Sequence, residues 1–195
     1  MNETNSTGIL RPTRREALAI LTKTALGATL AAPIFPAFAL PLDGEMTKYK
    51  PSADPQPIPE IEFQDKDDRP RSLKEWSGKL IILNFWATWC APCIKEMPSL
   101  DRLGATLDPS KAVVLAISQD RAGRQKAQEF YDKIGMKHLP LLIDKTMKSA
   151  RAFKTPGLPT TVFISPDGRV LGQLAGTAEW DEAPAKALIA HYLKI

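Results

Sequence analysis

The chain has 195 residues, 44% apolar and 25% charged, with a formal net charge of +4, the make-up of one soluble globular domain plus a smaller segment. Arg11, Arg14, Arg15 and Lys23 against Glu3 and Glu16 place +2 of that charge in the first 39 residues, leaving +2 for the remainder. With no aromatic-interleaved basic stripe and no glycine-rich phosphate loop, neither nucleic-acid nor nucleotide binding has a positive signal.

Residues 1–39 follow the order of an export signal. A polar start leads to Thr13-Arg14-Arg15-Glu16, then a moderately apolar run from Ala17 to Ala32, then Ala37-Phe38-Ala39, the small-residue pattern that precedes cleavage. Adjacent arginines ahead of a mildly hydrophobic stretch point to the twin-arginine route, although Ala17 stands where that pattern has Phe and a general secretory signal also tolerates two arginines. Lys23 interrupts the run, which argues against a retained transmembrane span of about 20 apolar residues. The expected destination is the periplasm, with engagement of the export machinery on the way. Residues 40–57 carry Pro41, Pro51, Pro55 and Pro57 and are expected to form a stiff proline-rich spacer, with the folded domain over 58–195.

Ile61-Glu62-Phe63 alternates as a strand, and Asp65 to Pro70 supplies turn residues before a short helical turn at Leu73 to Trp76. Lys79 to Trp86 is a near-continuous apolar run, the signature of a central strand covered on both faces. After it, Ile94, Met97, Leu100, Leu103 and Leu107 recur at helical spacing. A strand over Ala112–Ser118 follows, then a polar helix over Gly123–Ile134, a strand over Leu139–Ile143 and a helix over Thr146–Phe153. Strands over Thr160–Ser165 and Arg169–Ala175 flank the turn Pro166-Asp167-Gly168, and a helix over Glu179–Leu193 closes the chain. The fold class is α/β, a central mixed sheet flanked by helices.

Only two cysteines occur, Cys90 and Cys93. A bridge between them closes almost no loop, so the pair is poorly placed to stabilise the fold and well placed for chemistry. A cysteine at the first turn of a helix meets unpaired N–H groups and the positive end of the helix dipole, which favour the thiolate and make Cys90 the attacking sulfur. Cys93, three residues on and a turn deeper, is the resolving one. Pro92 is tolerated there because first-turn N–H groups lack helical acceptors. The uncharged Ala91-Pro92 bridge favours a reductant over a strong oxidant. No cofactor and no metal are expected: zinc wants four ligands, and His138 and His191 lack ligand-like spacing to the pair.

The run Leu83-Asn84-Phe85-Trp86-Ala87-Thr88-Trp89-Cys90-Ala91-Pro92-Cys93-Ile94-Lys95-Glu96-Met97-Pro98-Ser99-Leu100, with Gly157-Leu158-Pro159-Thr160-Thr161, resembles the TlpA/ResA-like branch of the thioredoxin superfamily. The resemblance covers about Ile58 to the C-terminus. It implies a thioredoxin-like fold with an N-terminal extension and a central insertion over Asp120–Asp144, a cis peptide at Pro159, and substrate contacts from Trp89, Leu158, Pro159 and Thr160. Asn84 replaces the buried aspartate of ordinary thioredoxins, as in that branch, where the glutamate matching Glu96 is thought to tune the thiols. A solvated helix glutamate is the plainer alternative at Glu96, and Pro98 is expected to kink its helix.

The implied activity is protein disulfide exchange, in the reducing direction on envelope proteins such as apocytochrome c or copper-centre assembly proteins, with electrons from a membrane thiol transporter. A thiol oxidant and a Cu(I)-binding assembly module are the alternatives. Peroxide reduction needs a Pro-x-x-x-Thr-x-x-Cys arrangement, and here Leu83 and Ala87 occupy the proline and threonine positions.

Overall fold

A computed structural model describes residues 40–194; the export signal read in residues 1–39 lies outside them. The elements are β1 (Tyr49–Pro51), β2 (Phe63–Gln64), β3 (Pro70–Arg71), β4 (Leu80–Trp86), α1 (Ala91–Thr106), β5 (Ala112–Ser118), α2 (Arg124–Ile134), β6 (Leu142–Ile143), α3 (Lys148–Ala152), β7 (Thr160–Ile164), β8 (Val170–Ala175) and α4 (Ala183–Tyr192). The strands form one mixed sheet in the order β1-β8-β7-β4-β5-β6-β2-β3. β4 runs parallel to β5 and antiparallel to β7, with β7 and β8 as the expected hairpin.

The uninterrupted apolar run in β4 has its reason in its position. All seven of its residues are buried, and alternate side chains feed two cores. Leu80, Ile82 and Trp86 pack with Met97, Leu100 and Leu103 of α1, Phe130 and Tyr131 of α2, and Leu188 and Ile189 of α4. Ile81, Leu83 and Phe85 pack with Leu73, Leu115, Ile117 and Phe153. Asn84 is the one polar residue within this strand.

The proline-rich segment departs from the spacer expected over residues 40–57. Gly44–Lys48 forms a 3-10 turn, capped by the Asp43 side chain on the Gly44 N–H, and β1 adds an antiparallel edge strand to β8. Met46 and Tyr49 are buried in the first core, and the Tyr49 and Tyr192 hydroxyls lie 2.8 Å apart. The prolines masked two apolar anchors, and an edge strand accommodates Pro51 because its outer side needs no N–H. Gly172 makes the close approach feasible: a Cβ there would lie 2.3 Å from Tyr49 Oη and 2.5 Å from the Lys50 carbonyl oxygen.

Register fixes one functional edge. Phe85 is paired with Ile117 on one side and Thr160 on the other, so the segments after β4 and β5 and the segment before β7 all emerge at the same end of the sheet. α1 continues through Pro98 to Thr106 as one helix.

Candidate active site

Cys90 is the N-cap of α1, with extended backbone (φ −92°, ψ 96°), and its Sγ accepts the Cys93 N–H at 3.3 Å. The sulfur therefore occupies the position where Ser or Asp ordinarily caps a helix, facing the first-turn donors and the positive end of the dipole. The two cysteines are bridged, with Cα atoms 5.2 Å apart. Cys90 retains 6% exposure and Cys93 none, which leaves Cys90 as the sulfur an outside group reaches. Beside it Trp89 is 63% exposed, the most exposed large apolar side chain among the described residues.

The loop ahead of β7 completes the edge. The Leu158–Pro159 peptide is cis. Leu158 is partly buried and packs against both cores, while its main-chain N–H and carbonyl bond to no other described residue. Pro159 is buried and its carbonyl accepts the Gly176 N–H at 2.9 Å. Thr160, expected among the substrate contacts, has no exposed side chain: it is fully buried and its Oγ1 donates to the Gly157 carbonyl at 2.7 Å. Its place in β7 turns it inward, where it shapes the loop.

Glu96 is not a solvated helix glutamate. It is 1% exposed; Oε1 accepts Asn84 Nδ2 at 2.8 Å, and Oε2 accepts the Ala178 N–H and Trp180 Nε1, each at 3.1 Å. Burial pushes its carboxyl up to about 7, although hydrogen bonds from Trp180, Asn84 and Ala178 pull the other way. Asn84 also donates to Thr161 Oγ1 at 2.9 Å, while its own Oδ1 is buried without a partner. A protonated Glu96 would supply that oxygen with a donor if the amide rotated. The group can thus hold or release a proton inside α1, one helical turn beyond Cys93, near neutral pH.

Trp180 and Asp120 carry no site signal in the sequence, and Thr161 lies in the Gly157–Thr161 run without a role of its own there. Asp120 Oδ2 accepts the Thr88 N–H at 3.0 Å and Ser118 Oγ at 2.7 Å, and Oδ1 accepts Thr88 Oγ1 at 2.7 Å. It pins the segment leading into Cys90 to the end of β5. Trp180 follows Gly176-Thr177-Ala178 beyond β8, and only the tertiary fold brings it to Glu96. An aspartate two residues past a strand offers the one faint signal, as a turn former. Among the described residues no three His, Cys, Asp or Glu side chains gather into a metal cluster.

A redox-active pair at the head of a helix, set on such a sheet, is the layout of the thioredoxin fold, and the class it defines is the thiol-disulfide oxidoreductases. Comparison with known proteins carries this further. Residues 55–172 match the AhpC/TSA family. The thiol-disulfide oxidoreductase ResA of Bacillus thuringiensis (strain Al Hakam) is 33% identical over 118 residues, 60% of this chain and 67% of the relative. Among solved structures, a thiol:disulfide interchange protein DsbE from Chlorobium tepidum superposes with a TM-score of 0.65 at 24% identity, covering 73% of this chain and 99% of that one. An exposed lipoprotein thioredoxin from Streptococcus pneumoniae strain TIGR4 gives 0.56 at 27% identity, covering 70% and 98%. The chain belongs to the AhpC/TSA family and, within the thioredoxin superfamily, is a TlpA/ResA-like member.

Proposed function

We propose that this protein is an exported disulfide reductase that keeps cysteines of envelope proteins reduced, apocytochrome c and copper-centre assembly proteins being the substrates the sequence resemblance suggests. The Cys90 thiolate attacks a substrate disulfide. A Cys90–substrate bond forms, the substrate S–S bond breaks, and the departing thiolate takes up a proton. Cys93 then gives up its proton and attacks Cys90 Sγ. The second substrate thiol leaves reduced, and the Cys90–Cys93 bridge holds the two electrons' worth of oxidation until a membrane thiol transporter restores the dithiol.

The observation that carries this reading is the position of Cys90 Sγ as the cap of α1, accepting the Cys93 N–H at 3.3 Å, with Cys93 fully buried behind it. Cap donors stabilise the attacking thiolate, and burial reserves Cys93 for the internal step. Glu96 is the carboxyl closest in sequence to Cys93 on α1, and its titration at about 7 suits that exchange. The Leu158 main chain, with its donor and acceptor unused among the described residues, suits an extended substrate strand laid beside the pair; Trp89 and Pro159 would flank it. The basic, apolar and small-residue order of residues 1–39 supports export to the periplasm, as does the likeness to a thioredoxin described as an exposed lipoprotein.

The direction is tested by equilibrating the protein with glutathione and dithiothreitol buffers and counting thiols by alkylation. A reductase requires a couple well below about −200 mV. A value near about −120 mV would make the protein an oxidant.

A further inference from the structure

The edge that carries Cys90 also carries a groove of about 540 Å³, lined by Thr88, Trp89, Asp120, Arg121, Lys126 and Met147 among others. Its solvent-facing charge is cationic. Arg121 follows β5 and lines the groove; Lys145 follows β6 and lines the neighbouring pocket, its stem laid over Gly123, next to the groove residue Ala122, where an added Cβ would meet Lys145 Cε at 2.3 Å. Lys148 opens α3 beside Met147. No carboxylate forms an ion pair with Arg121, Lys145 or Lys148 among the described residues.

The aspartates that follow β5 and β6 are already engaged. Both oxygens of Asp120 accept from Thr88 and Ser118. Asp144 is held by Thr146 and Ser149, whose main-chain N–H groups and hydroxyls all donate to it. Both aspartates are buried. The exposed carboxylate nearest in sequence, Glu129, pairs with Lys126 at 2.9 Å.

We propose that this groove docks a redox partner whose segment next to the reacting cysteine is acidic, with Arg121 and Lys145 reading the carboxylates and exposed Trp89 covering the chain between them and the sulfur. Thr88 and Trp89 line the groove and directly precede Cys90, so a segment seated there continues onto the reacting sulfur without a gap. A charge-paired encounter raises the rate of association and fixes orientation more than it changes the chemical step. This rests on the exchange chemistry proposed for Cys90 and not on its direction in the cell.

The test uses the full chain, reduced, mixed with two disulfide peptides that differ only in carrying Glu-Glu or Lys-Lys beside one half-cystine, with exchange followed by stopped-flow Trp fluorescence. The acidic peptide should react about tenfold faster at low ionic strength, and the ratio should fall toward one as salt screens the groove. Arg121→Glu with Lys145→Glu should invert the ratio. The milder pair Arg121→Gln with Lys145→Gln should bring it close to one, and serves if the charge reversal impairs folding. Equal wild-type rates for both peptides, or faster exchange with the basic one, overturn the groove proposal while leaving the exchange chemistry standing. Failure of both peptides to exchange overturns the chemistry itself, and the groove falls with it.

Discussion

The indole Nε1–H of Trp180 donates to Glu96 Oε2 across 3.1 Å, tying the segment ahead of α4 to the helix that holds both cysteines. Among the hydrogen bonds that hold the Glu96 carboxyl down against its burial, this one contributes most. Trp180→Phe removes that donor and keeps most of the apolar contact. The Glu96 carboxyl should then titrate above about 7, visible in a carbon-detected NMR titration, with a stability loss of roughly 1–3 kcal/mol from the shaved ring and the lost bond.

Burial of Glu96 also makes stability depend on pH. Its folded-state carboxyl titrates near 7 against an ordinary value of 4.5, so between those limits the folded protein binds more protons than the unfolded chain. The stabilisation linked to this group is complete below about 4.5, declines as pH rises, and is lost above about 7, a difference of roughly 3 kcal/mol if the full displacement holds. Glu96→Gln should flatten this part of the profile. Its amide also supplies the unpartnered Asn84 Oδ1 with a donor after rotation of the Asn84 amide. Urea midpoints measured from pH 4.5 to 8 for both proteins check this; a wild-type profile that rises over this range would contradict it.

Asp101 carries a separate structural load. Its carboxylate accepts the main-chain N–H groups of Lys137, His138 and Leu139 at 2.8 to 3.3 Å, joining α1 to the loop between α2 and β6. Asp101→Ala strands those donors and should destabilise the protein by about 2–4 kcal/mol, with little change in the redox couple. Denaturant titration alongside the glutathione equilibrium separates the two effects.

Gly172→Ala tests the attachment of β1. The new Cβ would fall 2.3 Å from Tyr49 Oη, so either the tyrosine or the strand must move. The expected result is a loss of about 1–3 kcal/mol and faster amide exchange across Tyr49–Pro51, with the signals around Cys90 unchanged.

Legibility followed locality. The β4 run and the β5 strand declare themselves because burial on both faces leaves them almost wholly apolar, with Asn84 and Ser118 the exceptions, and the β7–β8 hairpin because Pro166-Asp167-Gly168 marks its turn. The cysteine motif carries its chemistry within four residues. Met46 and Tyr49 were hidden because two apolar side chains among prolines have no period, and their burial depends on β8, more than 120 residues away. For the same reason α1 spacing gives Glu96 a place one turn past Cys93 but not its surroundings: Asn84, Ala178 and Trp180 reach it from β4 and from the segment past β8. Nothing in the sequence marks that the Thr160 side chain turns inward, because that depends on which way β7 faces.

The division of labour between the two sulfurs is tested most directly by trapping. Cys93→Ser and Cys90→Ser variants, each reduced, are mixed with a disulfide peptide, and the covalent adduct is followed by mass spectrometry. Cys93→Ser should accumulate a stable adduct through Cys90, because attack proceeds and resolution cannot, while Cys90→Ser should form almost none because Cys93 is fully buried. Rapid adduct formation through Cys93 in the Cys90→Ser protein, with none through Cys90 in the other, would contradict the assignment.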